Sequence, residues 1–244
     1  MDLGIKGKVA IVAASSKGLG FYSALALANE GAKIIISGRR EDELSKALEQ
    51  LRQVTSDVES FACDVTLPES PQHIYDLAID RFGQVDIVIA NAGGPASGKA
   101  LEVSDQDIAD AVNANFISSV RLVRQAVPGM LKMGWGRILC IASSSIHQAI
   151  PTLPLSNAAR IALWGWVKVA ARELAGTGVT LNLISPGTHR TDRMKYLLKP
   201  GEPPSFPMGE PSDFGSISAF LCSQQANYIN GSSVVVDGGA SLAL

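Results

Sequence analysis

The sequence predicts an α/β protein built on a doubly wound sheet of seven parallel strands. Short apolar runs alternate along the chain with longer segments of helical periodicity, which is the order expected when helices connect parallel strands. The apolar runs are continuous rather than alternating, so helices should cover both faces of the sheet. With 244 residues and no repeat or low-complexity linker, the chain is expected to form a single domain over residues 1–244.

The predicted elements follow one another in strict alternation. The predicted strands cover residues 9–13, 33–37, 58–62, 85–90, 137–142, 179–184 and 233–236. The predicted helices cover residues 18–30, 41–54, 68–82, 104–132, 156–175 and 211–223. One proline-rich stretch, residues 185–209, fits neither pattern. A loop of this length in a compact domain usually has a function, and we interpret it as a substrate lid.

Composition and charge exclude several classes of partner. The net charge is −2, so neither nucleic acid nor an anionic membrane is expected as a partner. No apolar run reaches the roughly 18 residues of a membrane-spanning helix, and no signal peptide is expected at the N-terminus. Cys63, Cys140 and Cys222 lie among apolar neighbours, which predicts buried free thiols. The histidines have no metal-ligand spacing, so a cytoplasmic protein without metal is expected.

A glycine-containing turn follows the first predicted strand and opens the first predicted helix. Glycines let the backbone approach a pyrophosphate, and the helix N-terminus offers it free N–H groups and a positive dipole. A tight turn without a ligand would have the same glycines, so the strand–turn–helix context is what favours a nucleotide. The residues predicted to line the cofactor here are Ala14, Ser16, Lys17, Gly18, Leu19 and Gly20.

The residues after the second predicted strand favour NADP(H) over NAD(H). Arg39 stands where a carboxylate would hold the ribose 2′-hydroxyl of NAD, and arginine suits a 2′-phosphate. Lys17 adds a second cation. The alternative interpretation is that Lys17 and Arg39 are solvated surface charges. The third and fourth predicted strands also end in residues expected beside the cofactor: Asp64, whose carboxylate suits the adenine amino group, and Val65, Asn91, Ala92 and Gly93.

Motifs along essentially the whole chain resemble those of the short-chain dehydrogenase/reductase family, and most of all its 3-oxoacyl-ACP reductase-like members. The segments that carry the resemblance are residues 14–20, 63–65, 91–93, 114–116, 143, 185–187 and 236–239. The resemblance implies a Rossmann-like fold and an oxidoreductase that acts on a carbonyl/alcohol pair of a small-molecule or acyl-chain substrate. It also implies cofactor contacts from Pro186 and Gly187, and a homotetramer or homodimer.

The resemblance further implies four active-site positions, two of which carry unusual residues. In that family an asparagine orders a water chain, a serine polarises the substrate oxygen, and a lysine assists a tyrosine that transfers the proton. Asn115 and Ser143 match the first two positions, whereas the tyrosine and lysine positions fall on Ser156 and Arg160. A serine hydroxyl is a far weaker acid than a phenol with a pKa of about 10, so an atypical proton route is expected.

Two functional interpretations remain open. The first is an NADP(H)-dependent reductase in which Ser143 polarises the carbonyl and Arg160 binds ribose, a substrate carboxylate or the oxyanion. The second is a catalytically silent relative that acts as a nucleotide sensor or an assembly subunit. His147 and Tyr196 are the residues that could replace the missing acid, although both also fit ordinary loop positions. Ala14 replaces a glycine of the family's turn, which would weaken nucleotide binding if the turn needs a positive φ.

Overall fold

The strands of the computed structural model, which describes residues 1–197 and 206–243, form one parallel sheet. In chain order they are β1 (Val9–Val12), β2 (Lys33–Gly38), β3 (Val58–Ala62), β4 (Ile87–Ala90), β5 (Gly136–Ile141), β6 (Val179–Pro186) and β7 (Ser233–Val236). Their spatial order is β3-β2-β1-β4-β5-β6-β7, and every neighbouring pair is parallel. This arrangement confirms the predicted doubly wound, Rossmann-like domain, because the order runs outward from β1 in both directions.

Helices connect the strands on both faces of the sheet. In the described ranges they are α1 (Gly18–Asn29), α2 (Glu41–Arg52), α3 (Ser70–Phe82), α4 (Asp105–Val112), α5 (Ser118–Met133), α6 (Pro154–Glu173), α7 (Asp192–Leu197) and α8 (Pro211–Leu221). The single helix predicted over residues 104–132 is interrupted by a π-helical turn, Asn113–Ile117, where the chain accommodates wider hydrogen bonding.

The stretch predicted as an irregular lid is partly regular. Strand β6 continues to Pro186 and so includes the first residues of this stretch. Helix α7 lies within the stretch. The prediction of an unbroken loop over residues 185–209 was therefore wrong, because prolines mark the stretch without interrupting residues 192–197. Pro200, Pro203 and Pro204, which contributed to the lid interpretation, lie outside the described residues.

Successive residues of each inner strand pack into opposite apolar layers. Ile34 and Ile36 of β2 belong to the layer covered by α1, α2 and α8, whereas Ile35 belongs to the layer covered by α3, α5 and α6. All three isoleucines are fully buried. Because each face of the sheet meets helices, an inner strand presents apolar side chains to both faces, which explains the continuous apolar runs in the sequence. Trp164 and Trp166 pack partly buried against the second layer, as core positions.

The cysteines are free thiols, as the sequence predicts, but they are not equally buried. Cys140 and Cys222 are buried, and burial raises the pKa of both thiols to about 12. Cys63 is only half-buried, and desolvation raises its pKa as well. Residues 1–197 and 206–243 include no helix whose length and apolarity would let it cross a membrane. They also include no group of three side chains placed to hold a metal ion.

Helices α1 and α8 approach each other closely because Gly215 has no side chain. A Cβ at this position would overlap the backbone carbonyl of Tyr22, and its next neighbour would be the Cβ of Ala26. Backbone cannot move aside as a flexible side chain can, so this packing requires glycine.

We expect Gly215→Ala to lower the free energy of unfolding by about 1–3 kcal/mol, because the added methyl overpacks the α1–α8 contact. Urea unfolding followed by circular dichroism measures the change. Gly165→Ala is the matched control. A Cβ on this helical glycine would have no neighbour within 4 Å, so the substitution should raise the free energy of unfolding by up to about 1 kcal/mol through helix propensity. Equal effects of the two substitutions would contradict the packing argument.

Candidate active site

A wide cleft opens along the carboxyl edge of the sheet. The predicted residues that line it are Ala14, Ser16, Lys17, Gly18, Leu19, Arg39, Asp64, Val65, Asn91, Ala92, Gly93, Asn115, Ser143, Ser156, Arg160, Pro186 and Gly187. Gly20 is the only predicted site residue that does not line the cleft; it lies directly behind the turn. A Cβ on Gly20 would come within 2.8 Å of both the Ala14 carbonyl oxygen and Asn91 Nδ2. The described residues thus bring the predicted positions into one crevice.

The turn between β1 and α1 is held by hydrogen bonds from two neighbouring strands. Asn91 Nδ2 donates to the carbonyl oxygen of Ala14 at 3.0 Å, and Ser15 N donates to the carbonyl oxygen of Ser37 at 2.7 Å. Lys17 caps α1 without a side-chain hydrogen bond, so the first N–H groups of the helix are left to a ligand. This geometry fits the pyrophosphate of a dinucleotide.

Ala14 has a φ of +45°, in the left-handed region that favours glycine. In the described residues it is the only position other than glycine with a positive φ. An L-residue there is strained by roughly 1–2 kcal/mol. The turn therefore does need a positive φ, which is the condition under which the sequence predicts weaker nucleotide binding.

The cationic end of the cleft contains a carboxylate that the sequence analysis missed. Glu43 Oε1 lies 2.9 Å from Lys17 Nζ and 3.4 Å from Arg40 Nη1. The residues directly after β2 carry no carboxylate, but the first turn of α2 folds back and brings one. Lys17 is therefore partly neutralised by Glu43, and a 2′-phosphate would have to compete with that glutamate for it.

Arg39 and Asp64 face each other across the ends of β2 and β3. The side chain of Arg39 is 74% exposed, and its Nη1 lies 3.9 Å from Asp64 Oδ2. The other carboxylate oxygen of Asp64 accepts hydrogen bonds from the backbone N–H and the hydroxyl of Thr66, at 2.9 and 2.8 Å. These bonds fix the orientation of Asp64, so that its second oxygen faces the cleft.

Asn115 and Ser143 lie deeper in the cleft. Asn115 is buried in the π-helical turn, and its Nδ2 donates to the Ala111 carbonyl oxygen at 3.2 Å. Such turns widen a helix and frequently occur at functional sites. The Oγ of Ser143 accepts the backbone N–H of Ser145 at 3.1 Å, at the start of the short 3₁₀ helix Ser144–Ile146. Its own hydroxyl hydrogen is left for an oxygen in the cleft.

Ser156 and Arg160 form a direct pair on the inner face of α6. Arg160 Nη1 donates to Ser156 Oγ at 2.7 Å, and the two residues are only 8% and 4% exposed. Arg160 Nε is buried and has no hydrogen-bond partner among the described residues. Burial, followed by the positive charge of Arg193, lowers the pKa of Arg160 to about 10, so the guanidinium stays protonated at neutral pH.

The two residues considered as replacement acids lie away from this pair. His147 is exposed and does not line the cleft; its Nε2 lies 2.9 Å from the hydroxyl of Ser233. Tyr196 also lines the cleft, but it is 78% exposed and lies near Arg40. The pKa of Arg40 is raised by the hydrogen bond and charge of Asp42, then by Glu43 and least by Tyr196. The geometry gives neither residue a place beside Ser143.

The segment that follows β6 contributes cleft residues that the sequence analysis did not single out. The methyl group of Thr191 lies about 3.9 Å from where a Cβ on Gly18 would be. The guanidinium of Arg193 donates to the carbonyl oxygen of Pro95, beside Gly94. His189 is buried and packs edge-on against Phe214. No motif marks these positions, since their approach to the cleft depends on the path of the chain into α7.

Comparison with known proteins identifies the family. The family model described as enoyl-(acyl carrier protein) reductase matches residues 13–241. Dehydrogenase/reductase SDR family member 4 of Bos taurus is 32% identical over 245 residues, which cover 97% of this chain and 88% of that protein. The chain belongs to the short-chain dehydrogenase/reductase family. It is therefore a member of an oxidoreductase family, as its motifs suggest.

Two solved structures of similar proteins contain different nicotinamide cofactors. L-Sorbose reductase from Gluconobacter frateurii, complexed with NADPH and L-sorbose, superimposes with a TM-score of 0.93 at 31% identity over 100% of both chains. A 7α-hydroxysteroid dehydrogenase complexed with NADH and 7-oxo glycochenodeoxycholic acid superimposes with a TM-score of 0.90 at 28% identity. The alignment covers 98% of this chain and 96% of that one. The fold is thus compatible with either cofactor.

We expect Ala14→Gly to raise the free energy of unfolding by about 1 kcal/mol and to strengthen NADPH binding, because glycine adopts a positive φ without strain. Thermal unfolding and calorimetric titration with NADPH measure the two effects. Ala13→Gly is the control. Ala13 is buried and its φ is not positive, so glycine at this position should lower the free energy of unfolding by about 1 kcal/mol. Weaker NADPH binding by Ala14→Gly would show that the strained turn is needed for the nucleotide.

Proposed function

We propose that this protein is an NADP(H)-dependent oxidoreductase that acts on a carbonyl/alcohol pair through an atypical active site. The observation that carries the proposal is the hydrogen-bonded pair of Ser156 and Arg160, buried in the same cleft as Ser143 and Asn115. The pair occupies the positions where the family's tyrosine and lysine are expected. Two hydroxyls and one permanent cation then face a single crevice that fits a dinucleotide.

The cofactor would be held by the turn and by the strand ends around it. The free N–H groups of α1 suit its pyrophosphate, and Asp64 suits the adenine amino group. Lys17 and Arg39 suit a 2′-phosphate, which favours NADP(H) over NAD(H). When bound, the nicotinamide supplies the hydride, and the protein supplies orientation and electrostatics.

The side chains at the inner end of the cleft would stabilise the oxygen of the substrate. Reduction places negative charge on the carbonyl oxygen as hydride adds to its carbon. Ser143 and Ser156 each have a hydroxyl hydrogen to donate to that oxygen, and Arg160 strengthens Ser156 as a donor by hydrogen bonding to its Oγ. Serine does not titrate near neutral pH, so we propose that the alkoxide takes its final proton from water.

The substrate and the assembly follow from the resemblance. We propose a carbonyl compound of the small-molecule or acyl-chain kind, with a 3-oxoacyl-ACP-like substrate as one member of that class. We further propose that residues 1–244 act as one functional unit and assemble as a homodimer or homotetramer. The segment around α7 serves as the substrate lid, since Thr191 and Arg193 approach the turn and the loop after β4.

A second candidate function is a nucleotide-binding sensor or assembly subunit without turnover. The strained Ala14 and the ion pair between Lys17 and Glu43 favour it, because both weaken the hold on a phosphorylated nucleotide. The two functions differ in one measurable respect. A reductase consumes NADPH when a carbonyl substrate is added, whereas a sensor binds the nucleotide without consuming it.

We expect the protein to oxidise NADPH with at least one member of a panel of 3-oxo esters, ketoses and 2-oxo acids. Ser143→Ala should lower kcat/KM by about 100-fold, because it removes a donor to the developing oxyanion. Loss of NADPH absorbance measures the rate. Ser216→Ala is the control, because this exposed serine on α8 only bonds to the Ser212 carbonyl oxygen. NADPH binding without turnover on the whole panel would support the sensor instead.

We expect Glu43→Gln to tighten NADPH binding about two- to tenfold and to leave NADH binding nearly unchanged. The substitution releases Lys17 from its ion pair, leaves Arg40 paired with Asp42, and removes a negative charge from the part of the cleft expected to hold the 2′-phosphate. Calorimetry with both cofactors, at low and high salt, measures the effect, which should shrink as salt rises. Glu41→Gln, on the same turn of α2, is the control. An equal increase in the affinity for NADH would show that the effect does not depend on the 2′-phosphate.

A further inference from the structure

Two arginines on different helices line the cleft. Arg160 comes from α6 and Arg193 from α7, and both line the cleft. Both guanidinium groups line one cleft, and the pKa of Arg160 is lowered first by burial and then by the positive charge of Arg193. Burial lowers the pKa of Arg193 too. Arg160 is buried and Arg193 is half-buried, so two like charges in one cleft are incompletely hydrated, and such an arrangement normally has a counter-ion.

Neither arginine forms an ion pair with a carboxylate of the described residues, although Asp192 lines the same cleft. The ion pairs of residues 1–197 and 206–243 involve neither Arg160 nor Arg193. Arg193 donates to the carbonyl oxygen of Pro95, and Arg160 donates to Ser156. Both of these acceptors are neutral. The buried Nε–H of Arg160 has no acceptor in this part of the chain, and a buried unsatisfied donor of this kind is costly.

The other buried arginine of the protein shows what a structural role requires. Arg137 in β5 donates to the carbonyl oxygens of Gly136, Gly178 and Ser223 and to the side-chain oxygen of Asn227. Four of its five N–H groups bond inside the protein, and it does not line the cleft. Arg160 differs on both counts. The contrast indicates that the guanidinium of Arg160, which lines the cleft and bonds only to the neutral Ser156 Oγ among the described residues, is kept for a ligand.

We infer that Arg160 and Arg193 together bind the carboxylate of an anionic substrate, which is an oxo acid or the corresponding hydroxy acid. A carboxylate accepts charge-assisted hydrogen bonds from two guanidinium groups and neutralises their repulsion. Ser143 and Ser156 line the same inner region, so the bound acid would present its carbonyl oxygen to them. In naming this acid as a substrate, the inference rests on the proposed reductase function.

A phosphate of the cofactor has similar chemistry and must be distinguished from a substrate carboxylate. Arg193 follows Thr191, which approaches the turn at Gly18. The α1 N-terminus already suits the pyrophosphate, whereas Arg160 lies on α6 and bonds to Ser156. The shared anion of the two arginines is therefore assigned to the substrate, and the test includes both ligands.

The experiment compares acids with their neutral esters: acetoacetate with methyl acetoacetate, and 2-oxobutyrate with methyl 2-oxobutyrate. Calorimetry on the full chain with saturating NADP⁺ measures their dissociation constants, and NADPH oxidation measures turnover. We expect at least tenfold tighter binding of an acid than of its ester. Arg193→Met should weaken binding of that acid about 10- to 100-fold and change binding of the ester and of NADPH less than twofold.

Arg190→Met is the matched control, because Arg190 lies on the same segment but pairs with Glu210 and does not line the cleft. It should leave acid binding unchanged. Equal affinity of wild-type protein for acids and esters would overturn the inference, as would Arg193→Met weakening NADPH rather than the acid. Arginine-dependent acid binding without NADPH oxidation would refute the reductase proposal alone. Equal turnover of acids and esters would refute the carboxylate site alone.

Discussion

The parallel direction of all seven strands is the constraint on which the site depends. Because each strand runs the same way, every carboxyl end opens onto one edge, and the following loops converge there. The hydrogen bond from Asn91 to the carbonyl oxygen of Ala14 joins the loops after β4 and β1 into one wall. Gly20 must be glycine for that bond to form, since a side chain would occupy its place. The cofactor cleft is thus a consequence of sheet topology and one close backbone approach.

The fold could be predicted almost completely because its signals are local. Continuous apolar runs such as the one at residues 33–37 report burial on both faces, and connecting helices then dictate parallel strands. The errors lie where the backbone departs from regular periodicity. The spacing of apolar residues in the π-helical turn Asn113–Ile117 differs from that of an α-helix by only one residue. Periodicity therefore predicts a continuous helix there. A six-residue helix such as α7 is too short to give a pattern among prolines.

The candidate site was predictable in its members but not in its charge balance. Motif positions bring Ser143, Asn115 and the glycine turn to one edge, since each lies at the end of a predicted strand or on a neighbouring helix. Which charges neutralise one another depends on side-chain paths between elements. Glu43 reaches Lys17 from the next helix, and Arg193 reaches the loop after β4 from nearly a hundred positions later in the chain. Sequence spacing contains no signal for either contact.

The proposed placement of Arg160 at the family's lysine position, with Ser156 beside it, has a consistent physical explanation. A buried lysine loses its proton readily, which suits a site that adjusts the pKa of a neighbouring phenol. A buried arginine keeps its charge: even with burial and Arg193 acting against it, the pKa of Arg160 falls only to about 10. A serine hydroxyl does not ionise near neutral pH, so a neighbouring lysine would have no serine pKa to adjust. Under the proposed function, this pair therefore provides fixed electrostatic stabilisation in place of acid–base chemistry, and a fixed charge is what an anionic ligand requires.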